Sequence, residues 1–235
     1  MKRLLDIAVA AAGLVVTAPL LAMLAAAIKL DSPGPALFVQ TRVGRNRRPI
    51  RIAKLRTMVA DPARAARDER DGLEVAAAGD PRITRVGAVL RRTKLDELPQ
   101  LWNVLVGDMS LVGPRPEVPH YVAGYRPEWQ RLLTVRPGLT DAASLAFRDE
   151  ERLLALARDR RRAYTDVVMP MKLALAVDGL AHSSVLHDLG VIARTALAVV
   201  RPRDPADDPV IREVIRRIDE LNHQAGHQGH QEGQP

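Results

Sequence analysis

From Ile7 to Ile28 the chain reads IAVAAAGLVVTAPLLAMLAAAI, with no charged residue in the run. At about 1.5 Å of rise per residue, a helix of that length reaches across roughly 30 Å of hydrocarbon, so membrane contact is the first expectation. A cleaved secretory leader also pairs early basic residues with an apolar stretch. Here the stretch is long, and Lys29, Asp31 and Pro33 follow it without a small-residue cleavage pattern, so cleavage is not expected. Pro19 stands near the middle, where it removes a backbone donor, and predicts a kink or break. Both flanks are basic, with Lys2 and Arg3 before the run and Lys29, Arg42, Arg45, Arg47 and Arg48 after it. Cytoplasmic ends attract Lys and Arg, so the expectation is a helical hairpin that enters and leaves on the cytoplasmic face. An ordinary single-pass anchor is the alternative these residues leave open.

The remainder has the composition of a globular domain. Hydrophobic residues make up 47% of the 235, enough for a core. A net charge of +7 points to partners carrying negative charge, whether nucleic acid, anionic lipid or phosphorylated metabolites. Cys is absent, which excludes a disulfide framework, a thiolate nucleophile and a Cys-based zinc site. Aromatic residues are only 3%, too few for the stacking platforms of single-strand binding.

Turn-rich Asp31-Ser-Pro-Gly-Pro35 ends the apolar segment, and two β-like runs, 36–43 and 49–58, flank polar Gly44-Arg-Asn-Arg-Arg48, predicting a hairpin. Residues 60–80, rich in Ala and mixed charge, read as a solvated helix or mobile loop. The spacing over 84–105 predicts two short helices meeting near 93–96, followed by a Gly/Pro loop over 107–116. Further helices are predicted at 127–133, 149–161, 163–181 (perturbed by Pro170) and 185–199, with an extended piece over 137–147. Pro202, Pro205 and Pro209 punctuate a linker, 210–221 has amphipathic helical spacing, and a polar tail follows. In that tail His223, His227 and His230 could bind metal only adventitiously, and the expectation is a disordered terminus. The organisation is therefore a membrane helix over 1–32, a catalytic domain over 33–200 and a C-terminal linker, helix and tail over 201–235. The fold class is α/β, mostly α, with a small β-hairpin and several short or interfacial helices.

The chemistry concentrates around Asp96-Glu97, at the start of a predicted helix with Pro99 in its first turn. An acid pair there can be a simple N-cap. Its surroundings argue for more: Arg91, Arg92 and Lys94 precede it, and Pro114-Arg-Pro-Glu117 follows on a proline-stiffened loop. Neighbouring cations and a helix N-terminus favour an ionised carboxylate and attract phosphate.

Four blocks now stand in order: KRLLDIAVAAAGLVVTAPLLA, FVQTRVGRNRRPIRIAKLRTM, RRTKLDELPQLWNVLVGDMSLVGPRPE and VRPGLTDAAS. Together they resemble the bacterial sugar transferases known as monotopic phosphoglycosyl transferases, in their small form, over Lys2 to Val200. The resemblance implies a two-step reaction on the cytoplasmic face of the bacterial inner membrane. A carboxylate attacks the sugar-bearing phosphorus of a UDP-sugar and expels UMP, and a polyprenyl phosphate then takes the phosphosugar. Carried over by motif, Asp96 is the nucleophile, Glu97 is its partner, and Asp96 and Glu97 together are the Mg²⁺ ligands. Arg91 and Arg115 match phosphate-holding positions, with Lys54, Arg56 and Arg136 as weaker candidates; Pro19 matches the membrane-helix break. The implied partners are a UDP-sugar, a polyprenyl phosphate, anionic membrane lipids and downstream glycosyltransferases, and no nucleic acid. Two departures stand out. Ala18-Pro19 replaces the frequent Ser-Pro, leaving Thr17 as the nearest hydroxyl. Thr140-Asp-Ala-Ala-Ser144 replaces Thr-Gly-Trp-Ala-Gln, so the donor sugar is not to be copied from relatives.

Two rival readings of the sequence belong to other classes. A membrane-tethered nucleic-acid-binding protein would use the basic cluster of Arg42 to Arg56, which proximity to anionic lipid explains better. A catalytically silent scaffold for glycosyltransferases is opposed by the intact Asp96, Glu97 and Arg115. Conventional glycosyltransferases are opposed by the lack of an Asp-x-Asp motif and of a Gly-rich nucleotide loop.

Overall fold

A computed structural model describes residues 1–60, 76–200 and 208–231. Helix α1 (Lys2–Asp31) opens the chain and meets the length and apolarity of a membrane helix. Every residue from Lys2 to Asp31 is helical, Pro19 included, so the predicted break at Pro19 is corrected to an uninterrupted helix. A proline costs an interior helix one hydrogen bond, which the rest of this 30-residue ladder outlasts. Ala10 and Leu14 pack with Leu101 and Val104, while Leu21, Leu24 and Ile28 pack with Leu55 and Leu90. The outward side leaves Val15, Val16, Met23 and Leu30 exposed.

The predicted hairpin is present as β1 (Leu37–Val43) and β2 (Pro49–Leu55), antiparallel with Leu37 opposite Leu55 and Val43 opposite Pro49. Next come α2 (Arg85–Thr93), a 3₁₀ turn over Leu95–Glu97 and α3 (Gln100–Val106). Thr84 caps α2 by accepting from the Gly87 amide at 3.0 Å. Strand β3 (Ser110–Val112) pairs in parallel with β4 (Gly138–Thr140). Between them lie α4 (Pro119–Ala123) and a 3₁₀ segment, Pro127–Thr134, where a helix was predicted. The predicted extended piece over 137–147 yields only β4, because Asp141 caps a new helix, α5 (Ala142–Ala146), at the Ser144 amide. The predicted helix over 149–161 divides into α6 (Glu150–Ala155) and α7 (Arg160–Ala163), since Asp159 starts a fresh cap. A π-turn over Tyr164–Val168 leads into α8 (Met169–Ala181). The helical run passes from α7 through this π-turn into α8 without a break, and the π-turn lies just before Pro170, which is the perturbation the sequence predicts there. Helix α9 (Val185–Val200) matches its prediction, while α10 (Pro209–Gln231) continues past Leu221 into the expected tail. Asn222 anchors this extension by donating to the Leu156 carbonyl and accepting from the Arg158 amide, each at 2.9 Å. The Ala-rich charged segment and the proline linker fall mostly at 61–75 and 201–207, outside the described residues.

Three apolar clusters organise these elements. The largest gathers Tyr121, Trp129, Leu154 and Val168 and is closed by Ile211, Val214 and Ile218 of α10. A second joins α1, β2, α3, β3 and α9 through Ala10, Ile52, Val104, Leu111 and Val191. The third is the small group of Ile28, Leu55 and Leu90. Leu95 packs on the third cluster and Leu98 on the second, which fixes the intervening Asp96-Glu97 between them.

Candidate active site

The turn that carries Asp96 is entered through Lys94, a non-glycine residue at φ 60°, ψ 17°. That left-handed conformation ends α2 and redirects the chain so that Asp96 points inward, at 8% exposure. Its Oδ1 is buried and has no hydrogen-bond partner among the described residues. Burial pushes the Asp96 carboxyl above the usual carboxylate range; Lys54, Lys94 and Arg91 oppose that shift and Glu97 adds to it. The cations that the sequence places nearby do lower the Asp96 pKa, but desolvation outweighs them and the net shift is upward.

Glu97 has the opposite balance. Lys54 Nζ donates to its Oε1 at 3.0 Å, Arg115 Nη1 donates to its Oε2 at 3.1 Å, and Arg115 Nη2 donates to Oε1. Burial alone would raise its pKa, but Arg115 and Lys54 hold the carboxyl well below the usual range. Arg115 is placed by backbone fit. A Cβ on Gly138 would lie 2.1 Å from the Gly113 nitrogen, so these two glycines let β4 approach the start of the Pro114-Arg115-Pro116 loop. Beyond Arg115, Arg42 Nη1 donates to Glu117 Oε2 at 3.4 Å and Tyr164 Oη donates to Glu117 Oε1 at 2.8 Å.

These contacts sort the residues singled out from the sequence. Asp96, Glu97, Lys54 and Arg115 come together in one cluster. Arg91 borders it: its charge reaches Asp96, while Nε donates to Glu151 Oε1 at 2.9 Å and Nη1 to Thr57 Oγ1 at 3.1 Å. Arg56 is elsewhere employed. It is 5% exposed, and its guanidinium donates to Pro35 O, Ser32 Oγ, Ser32 O and Ile28 O, closing the C-terminal end of α1. Arg136 donates Nε to Gly107 O at 2.9 Å and is not in the cluster.

Residues 1–202 match the family model for bacterial sugar transferases. The chain belongs to the bacterial sugar transferase family. It is 44% identical over 200 residues to the UDP-glucose:undecaprenyl-phosphate glucose-1-phosphate transferase of Caulobacter vibrioides, covering 83% of this chain and 67% of that one. It is 46% identical over 151 residues to the exopolysaccharide production protein PSS of Rhizobium leguminosarum, covering 62% and 73%. The Escherichia coli UDP-glucose:undecaprenyl-phosphate glucose-1-phosphate transferase shares 41% identity over 148 residues, covering 62% of this chain and 31% of that one. At these identities the chain is a phosphoglycosyl transferase.

In this sugar transferase no group of three His, Cys, Asp or Glu side chains is arranged to hold a metal among the described residues. Magnesium does not require one. It dehydrates reluctantly and is commonly held by one or two carboxylates plus substrate phosphates. The unpartnered Asp96 Oδ1 supplies one such donor, while both oxygens of the adjacent Glu97 already accept from Arg115 and Lys54. Sequence reasoning missed Gln100, 2% exposed with Nε2 unpartnered, four residues beyond Asp96 and so one helical turn away. It also missed Arg42, Glu117 and Tyr164. The first two lie inside the motif blocks but become neighbours only when β1 meets the proline loop, where the Val43 amide donates to Glu117 O at 2.8 Å.

Proposed function

We propose that this phosphoglycosyl transferase moves a sugar 1-phosphate from a UDP-sugar to a polyprenyl phosphate, releasing UMP, through a covalent intermediate on Asp96. The observation that carries the reading is the Asp96 carboxylate oxygen, buried and unpartnered beside a carboxylate already neutralised by Lys54 and Arg115. Buried polar atoms are nearly all paired in folded proteins, so an orphan beside fixed cations awaits a substrate group. The names of the relatives, two of them UDP-glucose:undecaprenyl-phosphate glucose-1-phosphate transferases, support the donor and acceptor classes.

An Asp96 oxygen forms a bond to the sugar-bearing phosphorus while the bond from that phosphorus to the bridging oxygen breaks, and UMP leaves with the electron pair. An oxygen of the polyprenyl phosphate then attacks the same phosphorus and returns the Asp96 carboxylate. Arg115 engages Glu97 with its Nη1–Nη2 fork, which fixes the guanidinium so that its remaining N–H donors are offered to phosphate oxygens, and Lys54 holds the same Glu97 from the other side. Burial makes Asp96 a stronger base than an exposed carboxylate, at the cost of a smaller ionised fraction in acid. Asp96 and Glu97 would hold Mg²⁺, which when bound supplies neutralisation of negative charge on the phosphates.

The same reading sets α1 in the cytoplasmic leaflet with both ends on the side of the catalytic domain. Its support is that both ends bond to that domain: Arg3 donates to Val104 O at 2.6 Å and Leu105 O at 2.8 Å, and Arg56 donates to Ser32 O at 2.8 Å. The product would feed glycosyltransferases that build a polysaccharide or glycoconjugate. The test is UMP release from a panel of UDP-sugars with undecaprenyl phosphate, with Mg²⁺ and with EDTA, followed by intact-mass analysis of the trapped enzyme. UMP release with a phosphosugar adduct on Asp96 is the expected result; turnover without any adduct overturns the covalent route.

A further inference from the structure

A cavity of about 600 Å³ lies between the first turn of α1, strand β3 with Gly113-Pro114, and the corner joining α8 to α9. Small-molecule sites occupy roughly 300–1,000 Å³. Asp96, Glu97, Lys54 and Arg115 are absent from its lining. Its wall is apolar, from Leu175, Ala176, Leu180 and Val185.

Three guanidinium groups line it, each oriented by backbone bonds, and Arg3 spends both terminal nitrogens on Val104 O and Leu105 O. Arg45 Nε donates to Thr134 O at 3.1 Å, and Arg136 Nε donates to Gly107 O at 2.9 Å. Neither has a carboxylate within ion-pair distance among the described residues. The other acids of the lining are already bonded: Asp188 pairs with Lys2, and Asp6 accepts from Ser110 Oγ at 2.9 Å and the Leu111 amide at 3.1 Å. Asp141 differs. It is 7% exposed, its Oδ1 accepts from the Ser144 amide at 2.6 Å, and its Oδ2 is buried without a partner. Burial also raises the Asp141 carboxyl above the usual range, against the bonds from Ser144.

Guanidinium forks without a counter-charge select phosphate, and an unpartnered buried carboxyl selects a hydroxyl. We propose that this cavity is a second ligand site that takes a phosphorylated polyol, with its phosphate on Arg45 and Arg136 and a hydroxyl on Asp141. The polyol is either a free metabolite or the head of a glycerophospholipid whose chains follow the apolar wall beside α1. Neither source depends on the transfer chemistry of Asp96.

The experiment titrates the full chain in phosphatidylcholine nanodiscs with glycerol 3-phosphate, inorganic phosphate and glycerol. In parallel, native mass spectrometry reads the lipid retained from nanodiscs doped with phosphatidylglycerol. Saturable glycerol 3-phosphate binding without lipid retention identifies the free metabolite, and selective phosphatidylglycerol retention identifies the headgroup. Arg45→Ala/Arg136→Ala is expected to weaken binding about tenfold or more, that is, by about 1.4 kcal/mol or more. Asp141→Asn is expected to lower affinity for glycerol 3-phosphate. Gly179→Met fills the cavity from α8, where an added Cβ meets only Ala142 Cβ at 4.0 Å, and should abolish binding with thermal unfolding preserved. Binding no stronger than that of glycerol or phosphatidylcholine, equal affinity for inorganic phosphate and glycerol 3-phosphate, or indifference to the arginine pair overturns the assignment.

Discussion

Asp96 and Glu97 are adjacent carboxylates pushed apart by their surroundings, and each carries its own pH signature. Asp96 must be ionised to attack phosphorus, and burial holds its pKa above the ordinary value, so UMP release should fall as pH drops through that raised value. A pH–rate profile whose acid limb sits above the exposed-carboxylate range, about 3.9, is the expected outcome. The stability sign follows from the same shift. A carboxyl whose folded pKa is raised favours the fold fully below its unfolded value, and that contribution is lost as pH rises through the folded one. Asp96→Asn should therefore abolish turnover yet leave stability at neutral pH unchanged or higher by about 0.5–2 kcal/mol, read by thermal unfolding. Glu97 runs the other way: its depressed pKa makes the Arg115–Glu97–Lys54 contribution present above about 4.3 and lost as pH falls through the folded value. Lys94 offers a third test. Its φ of 60° suits glycine, so Lys94→Gly should gain a few tenths to about 1 kcal/mol in stability. The same change removes a cation that lowers the Asp96 pKa, and should move the acid limb of the pH profile upward.

Helices and strands place these groups through a few close contacts. Arg56 closes the end of α1 with donations to Ser32 and Pro35, so Arg56→Ala should destabilise the fold by about 2–4 kcal/mol by leaving buried carbonyls unpaired. Arg56→Lys should rescue little, since one ammonium cannot reproduce the fork. The measurement is thermal unfolding in detergent with the intrinsic fluorescence of Trp102 and Trp129. An Arg56→Ala variant of full stability but no activity would instead return Arg56 to the phosphate-binding set. Arg56 and Lys54 looked alike in the sequence because both belong to Lys54-Leu-Arg-Thr-Met58. The strand separates them by two residues, yet Lys54 reaches Glu97 while Arg56 turns to α1 just beyond the end of β2. Pro170 was legible because its effect is local: the helix takes π spacing in the turn just before the proline and regains α spacing after it.

At the scale of the whole molecule, α1 behaves as part of the domain and also as its apolar surface. Its N-terminal turn bonds to α3 and β3, its C-terminal turn bonds to Arg56, and its outward side is exposed and apolar. Cysteines introduced at Lys2 and Lys29 in vesicles should both react with an impermeant reagent from the side bearing the catalytic domain. Reaction from opposite sides would make α1 a single-pass span. The uninterrupted helix through Pro19 bears out the apolar run read from hydropathy and overturns only the expected break, because one lost hydrogen bond does not part so long a helix.

By itself the sequence determined the apolar N-terminal helix, the β-hairpin, the mostly helical domain and the acid pair, which the structure sets in a 3₁₀ turn just ahead of α3, because periodicity, turn residues and an ordered motif are local properties. Tertiary structure alone decided which cations meet that pair. Lys54 comes from 43 residues before Glu97 and Arg115 from 18 residues after it, while Arg91, Arg56 and Arg136 are drawn to other partners. The physical reason is that a side chain's charge is written in the sequence, but its partner and its desolvation exist only once distant elements pack, and those two terms set Asp96 and Glu97 apart.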